Sequence, residues 1–282
     1  MPGAGWISLP VFSIIAVATV FTVMFAIGVA MDVRDLRWAL SRPALLVRSL
    51  FSVFVVVPVV AVLFTRWLGL PREAEVGIAL MAIAPGAPVA LRRSLDAGGH
   101  QAFAPALQLL IATLAVVTMP LSVMLLNYVF DTHGEVSVVT VAQQVFIAQL
   151  LPLGLGLAVH RLAPTFAARI EPGIRRLGGM MLVAFLVVVL ASIWRLVFGA
   201  GLLLAVTAIA ISIVALAAGH LLGGPAVETR TAVAISSALR NPGLALLVAT
   251  SNSAPPEVSA TIFAYLIWAA ASTAGYIAMR RK

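Results

Sequence analysis

The stretch Thr231–Ser251, with Ala238-Leu239-Arg240-Asn241-Pro242-Gly243-Leu244 at its centre, decides how the chain is read. It is long and apolar enough to cross a bilayer, yet a guanidinium, an amide, a proline and a glycine sit together near its middle. A charged residue at the centre of a spanning helix costs about 2.5–3.5 kcal/mol on insertion scales, so it faces a cavity or a partner and marks a pathway. Pro242 removes one backbone donor and Gly243 releases the chain from helical geometry, so the spacing predicts a break here. Broken backbone at membrane depth is tolerated only where it lines a cavity or lies buried in protein.

An earlier stretch follows the same grammar. Leu68-Gly69-Leu70-Pro71 is followed by Glu75 and an apolar run that ends in Pro85-Gly86-Ala87-Pro88. Leu222-Gly223-Gly224-Pro225 is followed by Glu228 and the run that ends in Asn241-Pro242-Gly243. Interrupted hydrophobic segments in corresponding places of two halves point to a binding site between membrane repeats.

Composition agrees. The 282 residues are 62% hydrophobic and 10% charged, against about one-quarter charged in soluble domains, which leaves an all-α polytopic membrane protein. A net charge of +8 would suggest nucleic acid in a soluble chain; in a membrane chain the surplus follows the positive-inside rule, and no nucleic-acid partner is expected. With no cysteine, disulfides, thiolate metal sites and cysteine nucleophiles are excluded. The first apolar stretch lacks a basic n-region and exceeds a typical h-region, so no cleavable signal is expected.

Apolar stretches place spans at roughly 8–31, 43–65, 75–97, 101–129, 136–159, 178–198, 200–223, 229–251 and 257–279, about nine helices within a single domain, 1–282. With the N-terminus outside, the cytoplasmic loops hold Arg34, Arg37, Arg42, Arg92, Arg93, Arg161, Arg169, Arg175, Arg176, Arg230, Arg280, Arg281 and Lys282. The opposite loops hold Arg66 and Arg72 beside Glu73 and Glu75, then Asp131, His133 and Glu135, then Arg195 and Glu257. This asymmetry puts the C-terminus in the cytoplasm, with a bacterial inner membrane as the expected location. The segments 75–97 and 229–251 then run in opposite directions, as an inverted repeat with halves at about 8–130 and 136–279 requires.

Arg240 is the sharpest candidate for chemistry. Its fork of donors suits an anionic substrate; alternatively it pairs with Asp96 or a backbone carbonyl and locks two helix groups together. Asn241, Pro242 and Gly243 shape the break and open a half-helix N-terminus that favours negative charge, and Pro85, Gly86 and Pro88 make the corresponding break. Arg92 and Arg93 lie six to eight residues further on, where they either anchor topology or concentrate anions in a vestibule. Ser94, Ser236, Ser237 and Thr113 are ligand candidates, although such hydroxyls more often bond helix to helix, as Gln143, Gln144 and Gln149 are expected to do. His100, His133, His160 and His220 form no spaced metal set, and neither metal nor cofactor is expected.

Several short stretches carry a resemblance: Gly28-Val29-Ala30-Met31-Asp32-Val33-Arg34-Asp35-Leu36, Arg42-Pro43, Pro58, Leu70-Pro71-Arg72-Glu73 with Val76-Gly77, Ala84-Pro85-Gly86, and Asn241 with Gly243-Leu244-Ala245. From Met24 through Leu110 and from Pro225 through Ser251 the chain resembles the bile acid:sodium symporter family of secondary transporters. The resemblance implies core and panel bundles, two crossed discontinuous helices at 75–97 and 229–251, and a nine-helix form without the extra span that some members carry before residue 8. Sodium-coupled members place Ser-Asn just past the first Pro-Gly, where this chain has Ala90 and Leu91. They place Glu and Gln before the second crossing, where it has Ser236 and Arg240, and a Gln where it has Val53. Of that polar set only Asn241 survives. The resemblance therefore implies a carrier of small organic anions working by alternating access, with Arg240 supplying permanently the charge that sodium supplies elsewhere. The alternatives are a sodium-coupled symporter with displaced ion sites, and a transport-dead sensor or scaffold. An intramembrane enzyme would need paired aspartates, a serine with its base or a zinc set, and the spacing provides none.

Overall fold

In the computed structural model, residues 9–31, 33–129, 138–199 and 201–280 are described. Asp32, Asp131, His133, Glu135, Arg281 and Lys282, and the side chains of Arg34 and Asp35, lie outside that description. Among the described residues there are fourteen α-helices, two π-helical turns and no strand. In chain order they are α1 (Leu9–Ala30), α2 (Val33–Leu40), α3 (Pro43–Phe51), a π-turn (Ser52–Val56), α4 (Val57–Leu68), α5 (Arg72–Ile83), α6 (Pro88–Asp96) and α7 (Phe103–Val129). There follow α8 (Val138–Val145), a second π-turn (Phe146–Leu150), α9 (Leu151–Leu162), α10 (Pro164–Phe198), α11 (Gly201–Leu222), α12 (Val227–Ala238), α13 (Pro242–Ser251) and α14 (Pro256–Arg280).

Proline supplies much of the punctuation. Pro43, Pro88, Pro164, Pro242 and Pro256 each open a helix, where the fixed φ suits the first turn and the missing N–H costs nothing. Gly69, at φ 62°, closes α4 in the left-handed region. Among the described residues seven stretches are long and apolar enough to cross a membrane: Pro43–Leu68, Phe103–Tyr128, Val138–Leu162, Pro164–Phe198, Gly201–Leu222, Val227–Ser251 and Pro256–Arg280. The pair α5–α6, bent by 63° at its break, makes an eighth. Helix α1 adds a shorter apolar stretch, Ile14–Ala30.

The helices pack in two groups, which α10 joins by packing on α14. In the first, α1, α9 and α10 pack on one another. Helices α1 and α9 meet backbone to backbone: a Cβ on Gly28 would strike Leu153 O, and one on Gly156 would strike Phe25 O. Small residues permit this approach in a medium where apolar burial gives no drive of its own. In the second group α11 packs on α4, α12 and α14, while α5 packs on α4 and α14. Helix α13 touches α1, α5, α8 and α14 and so lies between the groups. The most apolar window of Val227–Ser251 is 100% buried, against 17–44% for the other six unbent spans, so the chain is built round this stretch.

One expectation needs correction. Residues 164–177 read as a cytoplasmic loop rich in arginine, but they form the first turns of α10, which is 35 residues long. At 1.5 Å per residue that is about 52 Å, well beyond the hydrocarbon thickness of about 30 Å. Pro164 opens this extension, and Glu171 Oε1 pairs with Arg175 Nε at 3.0 Å one turn on.

Candidate functional site

Pro58 determines where the first polar group of the site points. It has no N–H, and the helix absorbs it through the π-turn Ser52–Val56, in which Val57 N–H reaches back to Ser52 O. The Val53 carbonyl thus loses Val57 as a donor and finds none at Pro58. Arg240 fills the gap: its Nη2 donates to Val53 O at 2.8 Å, across 187 residues of sequence. Of the two structural alternatives, a carbonyl rather than Asp96 is the partner, and Asp96 lies exposed at the end of α6.

The rest of the guanidinium is unpartnered. Arg240 is 1% exposed, and its Nε and Nη1 have no hydrogen-bond partner among the described residues. Neither ion pair found among those residues includes it. Tyr265 on α14, fully buried with its hydroxyl toward Ser212 of α11, lies within electrostatic reach of it. A buried charge without a counter-charge costs several kcal/mol even after relaxation.

Asn241 points elsewhere. Residues 239–241 are not helical, with Leu239 and Asn241 extended, and successive side chains of extended backbone leave on opposite sides. While Arg240 enters the α3–α4 side of the core, Asn241 lines a small pocket with Val20, Val23, Met24, Pro88 and Leu182. Those residues belong to α1, α6 and α10, so the pocket lies where the first helix group meets the two breaks. Asn241 Oδ1 accepts from Leu244 N–H at 3.1 Å and caps α13; its Nδ2 has no partner among the described residues.

The two breaks touch. Asn241 N–H donates to Ala84 O at 2.9 Å. Gln108 Nε2, from α7, donates to Gly86 O at 2.9 Å. Gly86 has φ +80°, and a Cβ there would stand 3.3 Å from Ile111 Cγ2, so both conformation and space select glycine. Pro88 at the start of α6 and Asn241 at the cap of α13 share the pocket. Two half-helix N-termini, each carrying partial positive charge, thus open on one place.

Of the other candidates, Pro85, Pro242 and Gly243 are buried at the breaks. A Cβ on Gly243 would meet Val20 and Leu182, so it faces the pocket side. Ser236 is buried on α12. Ser237 Oγ is 2.9 Å from Ser52 Oγ, a bond between helices. Ser94 is buried with no partner for Oγ among the described residues. Arg92, Arg93 and Thr113 are exposed. Gln149 Nε2 donates to Ala112 O at 2.6 Å and ties α7 to the second π-turn. Sequence reasoning missed Gln108 and Tyr265. Each is one polar group inside a long apolar run, and only that isolation could have marked it. No group of three or more potential metal-ligating residues is found among the described residues.

These elements define an all-α polytopic membrane protein organised round two helix breaks that touch at its centre. Residues 17–201 match the model of the Sodium Bile acid symporter family. The chain belongs to that family, one of transporters rather than enzymes. The matched stretch includes the first break and ends before Arg240. No curated protein matches the chain.

Proposed function

We propose that the chain carries small organic anions across the membrane by alternating access and without sodium, Arg240 standing where the coupling ion would. The observation that carries this is the fully buried guanidinium beside the joined breaks, with two of its nitrogens unpartnered and no carboxylate on it among the described residues. Sodium needs several oxygen ligands. Ala90 and Leu91 offer no side-chain oxygen, and a fixed cation nearby would repel another by several kcal/mol in a partly desolvated site. The anion sits between the helix groups, against Asn241, Gly243 and the N-termini of α6 and α13, with Pro85, Gly86, Pro242, Ser236 and Ser94 shaping its surroundings. Arg240 acts on it through the field, from across the backbone, instead of by a direct fork. Arg92 and Arg93 gather anions at the mouth. In the same reading the N-terminus is outside, the C-terminus is in the cytoplasm of a bacterial inner membrane, and the halves at about 8–130 and 136–279 are an inverted repeat that rocks round the site.

The Arg240–Val53 bond favours a second reading, in which the guanidinium only ties helices together and the chain binds anions as a sensor or scaffold. Counterflow of labelled carboxylates in proteoliposomes, with choline as the only monovalent cation, separates the two. A carrier shows counterflow that requires Asn241. A scaffold binds and shows none, and counterflow that appears only when sodium replaces choline returns the chain to the ion-coupled class.

A further inference from the structure

Away from the breaks, a second cationic site is built where α11 ends, α12 begins and α14 ends. Arg230 on α12 is held by Nε to Gly224 O at 2.7 Å. Arg280, at the end of α14, is held by Nε to Thr231 Oγ1 at 3.2 Å, and Thr231 is itself buried and donates to Val227 O at 2.9 Å. His220 Nδ1 lies 2.9 Å from Tyr276 Oη between them. Both guanidiniums act electrostatically on His220 and on Tyr276, so the four groups form one cluster. Neither arginine is in an ion pair among the described residues, and Glu228, the acid nearest in sequence to Arg230, is exposed. Two forks are thus fixed through Nε, and their terminal nitrogens have no partner among the described residues. That arrangement suits the oxygens of a phosphate, which arginine binds in bidentate fashion.

The surroundings say which phosphate. The cluster lies at the ends of long apolar spans, at headgroup level for α11 and α14. It is flanked by exposed apolar side chains: Leu221 is 78% and Met279 69% exposed. A free phosphate has no use for them, whereas a lipid lays its acyl chains along such residues while its headgroup meets the arginines. We infer that Arg230 and Arg280 form a binding site for the phosphate of an anionic phospholipid, which links α12, the helix leading into Arg240, to α14.

Native mass spectrometry of the full-length protein, released from neutral detergent with added phosphatidylglycerol or phosphatidylcholine, tests this. Phosphatidylglycerol should be retained preferentially. Arg230→Gln and Arg280→Gln should each lower its retention about fivefold and together about 25-fold, from the contribution of one basic residue near an anionic lipid. Arg161→Gln/Arg176→Gln, at exposed arginines elsewhere, should leave retention within twofold. If the double site variant is not monodisperse, the single variants carry the test with the same expectation. Equal retention of the two lipids, full retention by the site variants, or displacement of phosphatidylglycerol by equimolar inorganic phosphate would each overturn the assignment.

Discussion

Replacing Arg240 by methionine separates a charge that serves the substrate from a lock that serves the fold. The substitution nearly preserves side-chain length. It removes one hydrogen bond to Val53 O, worth about 1.5–3 kcal/mol when the donor is charged. It also removes the desolvation cost of a buried guanidinium, which is several kcal/mol and here is offset by no carboxylate among the described residues. The terms oppose each other, so the variant should be as stable as the parent within about 2 kcal/mol, a change of about 5 °C or less in Tm. Anion affinity should suffer more. A unit charge acting on a carboxylate over about 6–8 Å through an effective dielectric of about 20 contributes about 2–3 kcal/mol, so affinity should fall about 30- to 100-fold. Arg240→Lys, which keeps the charge, should recover most of it. The assay is thermal unfolding in detergent beside carboxylate binding and counterflow. A fall in Tm well beyond about 5 °C with binding retained per folded molecule would leave Arg240 a structural lock.

Three other substitutions probe the site and its frame. Asn241→Asp keeps an acceptor for Leu244 N–H but puts negative charge in the pocket, so Tm should change by a few degrees at most while anion binding falls at least about tenfold. Pro58→Ala lets Val57 N–H return to Val53 O, giving the helix back about 3 kcal/mol and taking from Arg240 its acceptor, worth about 1.5–3 kcal/mol; Tm should hold or rise while counterflow falls. Gly156→Val drives a side chain into the backbone of α1, where a Cβ alone would lie 2.7 Å from Val29 N. It should cost more than about 3 kcal/mol, seen as loss of monodisperse protein in size-exclusion chromatography.

Much of the fold was legible because its signals are local. Twenty-residue apolar runs locate the spans, and Pro85-Gly86 and Pro242-Gly243 locate the breaks, since each motif denies the helix a donor or a conformation wherever it occurs. The polar start of α10 was not legible: Arg169, Arg175 and Arg176 read as a loop, because hydropathy detects what lies in lipid and not where a helix stops. The candidate site can be read from the sequence only as residue types, without their directions. That Arg240 enters the core while Asn241 faces the pocket follows from two extended residues set against α3 and α1, which no window of sequence contains. The reach of Arg240 to Val53 depends on Pro58 freeing a carbonyl 187 residues away. Gln108, which holds Gly86 O from α7, is in its own segment one amide among leucines.

The account stands on a fixed positive group doing an ion's work inside the core. The most direct test is the Kd of a bound carboxylate for the purified protein in sodium chloride and in choline chloride of equal ionic strength, for the parent and for Arg240→Met. The prediction is one value in both salts for the parent, and a weaker value, again the same in both, for the variant. A parent Kd that tightens tenfold or more in sodium would contradict it.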